Sequence, residues 1–353
     1  CRKDSTSRTK PLLTIATTND ERNTMAQKQL GQTNIMLNQI GLGCMGLSEF
    51  YGPPTEESAA IKLLHEAIDL GVNHFDTAEA YGVGRNESLL GRAFNDRRDK
   101  VRIATKFGFL RDPDTGAPLG LDGSPENCRK AAEGSLRRLQ TDHIDLYYLH
   151  RVDPITPIEE TVTEMAKLVA EGKVGALGLS EVSGETLRRA QAIHPITAVQ
   201  SEYSIFSREI EQDVLPVCKE TGTSLVAYSP LGRGMLTGSF KQDSQISETD
   251  FRGTSQPRFS GDAYAANLQL VDTILSLAAA LDVSAAEVAL AWVIAKQHNV
   301  LPIAGTTKLA NLKTNLAAME LTLSPEAIAS LDDLADRVEG TRYNEQGMTI
   351  VNA

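Results

Sequence analysis

Eight short β-prone runs, each followed by a helical stretch, constrain what this chain can fold into. The runs are "QIGLG" (39–43), "VNHFDTA" (72–78), "VRIATKFG" (101–108), "IDLYYLH" (144–150), "VGALGLS" (174–180), "ITAVQSE" (196–202), "SLVAYSPL" (224–231) and "VLPIAGT" (300–306). Several are nearly continuous in apolar residues, as strands buried on both faces must be. Between them lie amphipathic stretches such as 56–71, which stops at Gly71, and 124–140, which opens on a Ser124 cap with Pro125 in first position. Strands alternating with helices in this way predict an α/β fold, one closed (β/α)8 TIM barrel. At 353 residues and 41% hydrophobic content the chain is long enough for a barrel that typically takes about 250 residues. A single domain is expected over residues 25–353. Residues 1–24 read as an unstructured leader, because "PLLTIA" is too short for a signal-peptide core and Asp4, Asp20 and Glu21 suit a transit peptide poorly. The stretch 267–297 holds two helices, divided near Asp282–Ser284, where a barrel needs one. The polar stretch 238–262 is a long loop of the kind that often carries function.

The formal net charge is −11, with 5% aromatic residues and no dense Lys/Arg cluster. That excludes a nucleic-acid or anionic-membrane partner, which needs a basic footprint, and leaves room for a local anion site. The four cysteines show no C-x-x-C and no zinc-like spacing, so a reduced, cytoplasmic protein is expected. No metal is expected, and no apolar run approaches the roughly 20 residues of a membrane span.

Gly41-Leu42-Gly43-Cys44-Met45-Gly46 matches G-x-G-x-x-G, the dinucleotide fingerprint of a doubly wound fold. That fingerprint requires a helix to open at the glycines. Here "LSEFYGPPTEE" follows, and no helix can start before Pro54 or Thr55. The glycines instead let the first strand pass close to a ligand or turn at the barrel mouth.

Active sites of such barrels lie where the strands end. Strand two ends in "FDTAEAYG", giving Asp76 and Tyr81; strand three gives Lys106 and strand four His150. A buried Lys or Asp is costly unless paired, so Asp76 and Lys106 are expected to form an ion pair. Such a pair could be purely structural. The four residues together have a sharper chemistry. A Lys ammonium lowers the pKa of a neighbouring Tyr hydroxyl, Asp76 holds Lys106 in place, and a neutral His150 orients a carbonyl oxygen. That set suits hydride addition to a carbonyl, with Tyr81 as general acid and the hydride from a cofactor. The later strand ends carry groups suited to a nicotinamide nucleotide. Ser180, Glu181 and Gln200 can meet a carboxamide, and Tyr228 can stack on the ring. The glycine loop at Gly232 and Gly234 can approach a pyrophosphate. Gly305, two hydroxyls and Lys308 open a helix as an anion site that favours a 2′-phosphate, hence NADP(H).

These motifs, with "GLGCMGLSEFYG", "DLYYLHRVD", "AYSPLGRGMLTG" and "PIAGTTKLANLKTNL", resemble the aldo-keto reductase family, over nearly all of residues 29–337. The pattern looks closest to its pyridoxal reductase-like and general aldehyde reductase branch. The resemblance implies a catalytic tetrad at Asp76, Tyr81, Lys106 and His150. It implies carboxamide contacts from Ser180 and Gln200, a nicotinamide stack on Tyr228, and pyrophosphate contacts from Ser229, Leu231 and Gly232. The adenosine phosphate would lie against Gly305, Thr307, Lys308, Asn311 and Asn315, and Cys44 and Met45 would line the cofactor near a small carbonyl substrate. Many members have Ser-Asn where this chain has Ser180-Glu181, and Arg where it has Asn311. Two other readings stand beside this one. A redox-sensing NADP-binding protein resembling the potassium-channel β subunits would show little turnover, and a metal-dependent hydrolase would use His74, Asp76 and His150, without the usual H-x-H.

Overall fold

A computed structural model describes residues 27–247, 250–296 and 299–351; the leader expected over residues 1–24 lies outside them. Eight parallel strands form the barrel: β1 (Leu42–Gly43), β2 (His74–Asp76), β3 (Arg102–Phe107), β4 (Ile144–Leu149), β5 (Val174–Ser180), β6 (Ala198–Glu202), β7 (Ser224–Tyr228) and β8 (Val300–Ile303). All eight fall inside the runs read from the sequence. The ring closes between first and last strands, where Gly41 N–H donates to the Pro302 carbonyl at 2.9 Å and Ala304 N–H to that of Gly41 at 3.2 Å.

Helices α1 (Glu57–Asp69), α2 (Arg85–Phe94), α3 (Pro125–Leu139), α4 (Ile158–Ala170), α5 (Gly184–Gln191), α6 (Val214–Thr221), α7 (Gly261–Leu281), α8 (Ala285–Lys296) and α9 (Leu309–Ala317) surround it. Their ends follow local chemistry. Ser124 caps α3 by accepting from Asn127 N–H at 3.2 Å, with Pro125 in its first turn. Asp282, at φ +55°, makes the break between α7 and α8. By length and mean hydropathy α7 could also cross a bilayer; here it buries Leu270, Val271, Ile274 and Ala278 in a shared core with Val288, Ala289 and Trp292 of α8.

Two hairpins were not legible as strands. Gln27–Gln29 pairs with Met36–Asn38, and its Leu30 and Leu37 (each 1% exposed) join Ala104, Leu146, Ala176, Ala198, Val226 and Leu301 in the barrel interior. Phe109–Arg111 pairs with Pro118–Leu121 beyond β3.

Candidate active site

The polar mouth follows from the period of two along each strand. From the interior layer, the next inward position toward the C-terminal end runs Ala104 to Lys106, His74 to Asp76, Ala198 to Gln200 and Val226 to Tyr228. Asp76 (2% exposed) and Lys106 (0%) form a buried ion pair. Lys106 Nζ also donates to the Thr77 carbonyl at 2.8 Å and to the Tyr81 hydroxyl at 3.2 Å, so its three N–H donors meet three acceptors. Gln200 Nε2 donates to the second Asp76 oxygen at 2.7 Å. The His150 ring stands edge-on to Tyr81, with centroids 5.8 Å apart. The four residues singled out at strand ends thus meet around one hydroxyl.

Burial works against the Lys106 charge, but attraction to Asp76 and Tyr81 outweighs it and holds the ammonium above its ordinary range. Burial depresses His150 well below the usual histidine value, helped by the cations Arg151 and Lys106. The imidazole is therefore neutral, and its buried Nδ1 has no hydrogen-bond partner among the described residues. One expectation is corrected. Lys106 does pull the Tyr81 pKa down, yet burial raises it by more, so the phenol sits above its ordinary value. Desolvation of a phenolate in this closed site exceeds the help of one ammonium that Asp76 already partly neutralises.

The glycine match also resolves. Met45–Leu47 is a single 3-10 turn, and α1 opens only at Glu57. At Gly41 a Cβ would lie 2.7 Å from His74 Nδ1, and at Gly305 one would lie 3.2 Å from the Gly43 carbonyl oxygen. The large interior His74 requires a glycine at Gly41, whereas a Cβ at Gly43 or Gly46 would meet only ordinary contacts at 3.5 Å. His74 is pushed down to about 4 by burial and faces the interior, with neither ring nitrogen bonded among the described residues.

The cofactor-side residues divide. Ser180 is buried and accepts from Arg151 Nη1 at 3.2 Å. Gln200 has committed one amide N–H to Asp76. Cys44 does not line the mouth with its side chain: it is 0% exposed, bonds the Leu42 carbonyl and packs in the outer core, whereas Met45 is half-buried. Tyr228 is half-buried, and Ser229, Gly232 and Gly234 all have positive φ (+49°, +54° and +95°), coiling the chain tightly from Ser229 past Leu231. Gly305, Thr307, Lys308 and Asn311 are exposed and Asn315 is buried; Lys308 stands at the N-terminus of α9, where no side chain caps the first turn.

Within 238–262, Phe251 N–H donates to the Phe50 carbonyl at 3.0 Å, and Arg252 lies 4.9 Å over the Tyr51 ring. The segment therefore reaches across to the loop after β1. Arg151, Arg342 and Tyr343 also reach the mouth, bonding Ser180, Glu181 and Tyr228, and Arg233 bonds Tyr343; none of the four is singled out by a motif in the sequence. A surface depression of about 470 Å³ between α3 and α4, lined by Pro125, Arg129 and Glu133 among others, contains none of these residues.

Beside the tetrad, burial and the neighbouring Glu87 push the Glu79 carboxyl up to about 7, against a hydrogen bond from Gly108 N–H and the charge of Arg138. A carboxyl whose folded value exceeds its ordinary 4.5 costs nothing while protonated in both states and destabilises the fold as pH rises toward 7. Glu79→Gln should raise Tm over wild type near pH 8 and leave it almost unchanged near pH 4, below the ordinary carboxyl value of 4.5; equal shifts at both pH values would show that Glu79 carries no such cost.

Fold and site together describe a barrel oxidoreductase. A sequence model of the Aldo/keto reductase family matches residues 39–336. A curated protein of Glycine max, "Probable aldo-keto reductase 1", is 42% identical over 329 residues, covering 91% of this chain and 94% of its own. The glycerol dehydrogenase of Gluconobacter oxydans superposes with a TM-score of 0.81 at 30% identity, covering 88% of this chain and 96% of that one. A holo-form aldo-keto reductase of Bacillus halodurans gives 0.75 at 28% identity, covering 91% and 99%. The chain belongs to the aldo/keto reductase family. Membership points to NAD(P)H-dependent carbonyl reduction.

Proposed function

We propose that the protein reduces aldehydes or ketones to alcohols with NADPH, with Tyr81 as the proton donor. The observation that carries this is Lys106 Nζ touching both Asp76 and the Tyr81 hydroxyl, beside a neutral His150 with an unbonded Nδ1.

A carbonyl oxygen placed between Tyr81 and His150 meets a hydroxyl donor and an imidazole. As negative charge grows on that oxygen, Tyr81 transfers its proton, and Lys106 stabilises the phenolate left behind. Asp76 keeps Lys106 charged and aimed. The raised phenol pKa keeps Tyr81 protonated until charge develops. A reduced nicotinamide, when bound, supplies the hydride to the carbonyl carbon.

The donor set fits such a group. Ser180 and the remaining amide capacity of Gln200 would meet the carboxamide, and Tyr228 would underlie the ring. The coil at Ser229, Leu231 and Gly232 would approach the pyrophosphate. The uncapped start of α9, with Lys308 beside it and Gly305, Thr307, Asn311 and Asn315 around it, would hold the adenosine phosphate, which favours NADP over NAD.

Product stoichiometry tests the reading. An aromatic aldehyde with NADPH and a chelator should give one primary alcohol per NADP+ formed; carbonyl turnover that needs added metal, or none with any aldehyde, would count against it. If segment 238–262 folds over the pyrophosphate, its cleavage by protease should slow on adding NADPH. Unchanged cleavage would remove that role.

A further inference from the structure

We propose that Arg342 and Tyr343, near the C-terminal end of the chain, are positioning residues for the nicotinamide half of the site. Tyr343 fixes the ring of Tyr228 and Arg342 fixes the turn at Glu181. The inference rests on reading Tyr228 as the nicotinamide platform.

The segment carrying both residues is anchored at several points. Asn267 is fully buried and pairs with Glu339 in both directions, donating Nδ2–H to its carbonyl at 2.9 Å and accepting its N–H at 3.0 Å. Gly340 has φ +83°, and a Cβ there would stand 3.0 Å from Arg258 N. Asn344 N–H then donates to the Ser255 carbonyl at 3.0 Å. Between these anchors the two side chains turn into the barrel mouth.

Tyr343 and Tyr228 share a hydroxyl–hydroxyl hydrogen bond of 2.9 Å. Arg233 Nη2 donates to the Tyr343 oxygen at 2.7 Å, and Arg233 is itself held by Glu202 at 3.0 Å, both side chains being nearly buried. With its oxygen accepting from Arg233, Tyr343 has its proton free to donate to Tyr228. The chain Glu202–Arg233–Tyr343–Tyr228 thus ties down the far end of the ring. A stacking platform helps most when its orientation is set before the ligand arrives.

Arg342 (6% exposed) donates Nη1 and Nη2 to the two Glu181 oxygens at 3.2 and 3.1 Å. Glu181 has φ +53°, in the left-handed region that residues other than glycine seldom adopt. It also accepts from Glu202 N–H at 2.9 Å. This ion pair holds the turn directly after Ser180. It explains a carboxylate where many family members have Asn: Glu181 serves as the anchor for Arg342 and not as a cofactor ligand.

Tyr343→Phe tests the idea, because it removes one hydroxyl and keeps the ring packed edge-on to Phe251, 6.3 Å away. Binding of NADPH is read by nicotinamide fluorescence. Binding of 2′-phospho-ADP-ribose, which lacks the nicotinamide, is read by calorimetry. The variant should bind NADPH about 3- to 10-fold more weakly, the size of one net hydrogen bond, and 2′-phospho-ADP-ribose within about twofold of wild type. Arg342→Lys, which keeps the charge but loses the two-pronged contact, should show the same split. Equal weakening toward both ligands would mean a general structural role and overturn the proposal. So would unchanged NADPH affinity in both variants, or tighter binding, which would make Tyr343 an obstruction. Wild-type protein that binds neither ligand would overturn the proposed function and this inference with it. Wild type binding both, with variants indistinguishable from it, overturns this inference alone.

Discussion

Lys106→Met should abolish carbonyl reduction and destabilise the fold by about 3–5 kcal/mol, the usual cost of leaving one member of a buried ion pair without its partner. Among the described residues Asp76 would keep only the Gln200 N–H at 2.7 Å, in a position 2% exposed to solvent. The double variant Asp76→Asn/Lys106→Met separates the two effects. Removing both charges should recover much of the stability, because a buried pair contributes little net against neutral replacements, while activity stays lost. Urea unfolding and turnover on the same preparations check this. A double variant as unstable as the single one would show that the cost comes from packing, and activity in either variant would remove Lys106 from the mechanism.

Tyr81→Phe should lower kcat by about 10²–10⁴-fold, the range assigned to positioned acid catalysis. Affinity for NADPH should hold, since Tyr81 bonds Lys106 and not a group assigned to the cofactor. Stability should fall little: Lys106 keeps Asp76 and the Thr77 carbonyl, and the phenyl ring keeps its edge-on contact with His150. Loss of NADPH affinity in parallel with kcat would mean that the hydroxyl holds the cofactor instead.

Much of the site is legible in the sequence because charge interrupts apolar strands. Asp76, Lys106 and His150 each end a run that must be buried, so each has to find a partner, and period-two alternation sends Asp76 and Lys106 to the same side of the sheet. The barrel is legible for the same reason, since doubly buried strands are apolar throughout. The Gln27–Gln29 hairpin is too short to show a period, and only its placement under the barrel reveals why Leu30 and Leu37 are apolar. The net direction of the Tyr81 pKa is not legible, because the sequence shows the ammonium that lowers it and not the extent of burial that raises it by more. The Arg342–Glu181 and Tyr343–Tyr228 contacts span 161 and 115 residues. No local pattern announces these pairings.

The most direct measurement is a single turnover: wild-type protein loaded with one equivalent of NADPH, mixed rapidly with excess aldehyde, and followed at 340 nm. Prompt loss of the reduced-nicotinamide band, with the alcohol recovered, is the predicted result. Tightly held NADPH whose absorbance persists for minutes with every aldehyde tried would contradict it, and would leave a nucleotide-binding barrel that senses the redox state of its cofactor without turning it over.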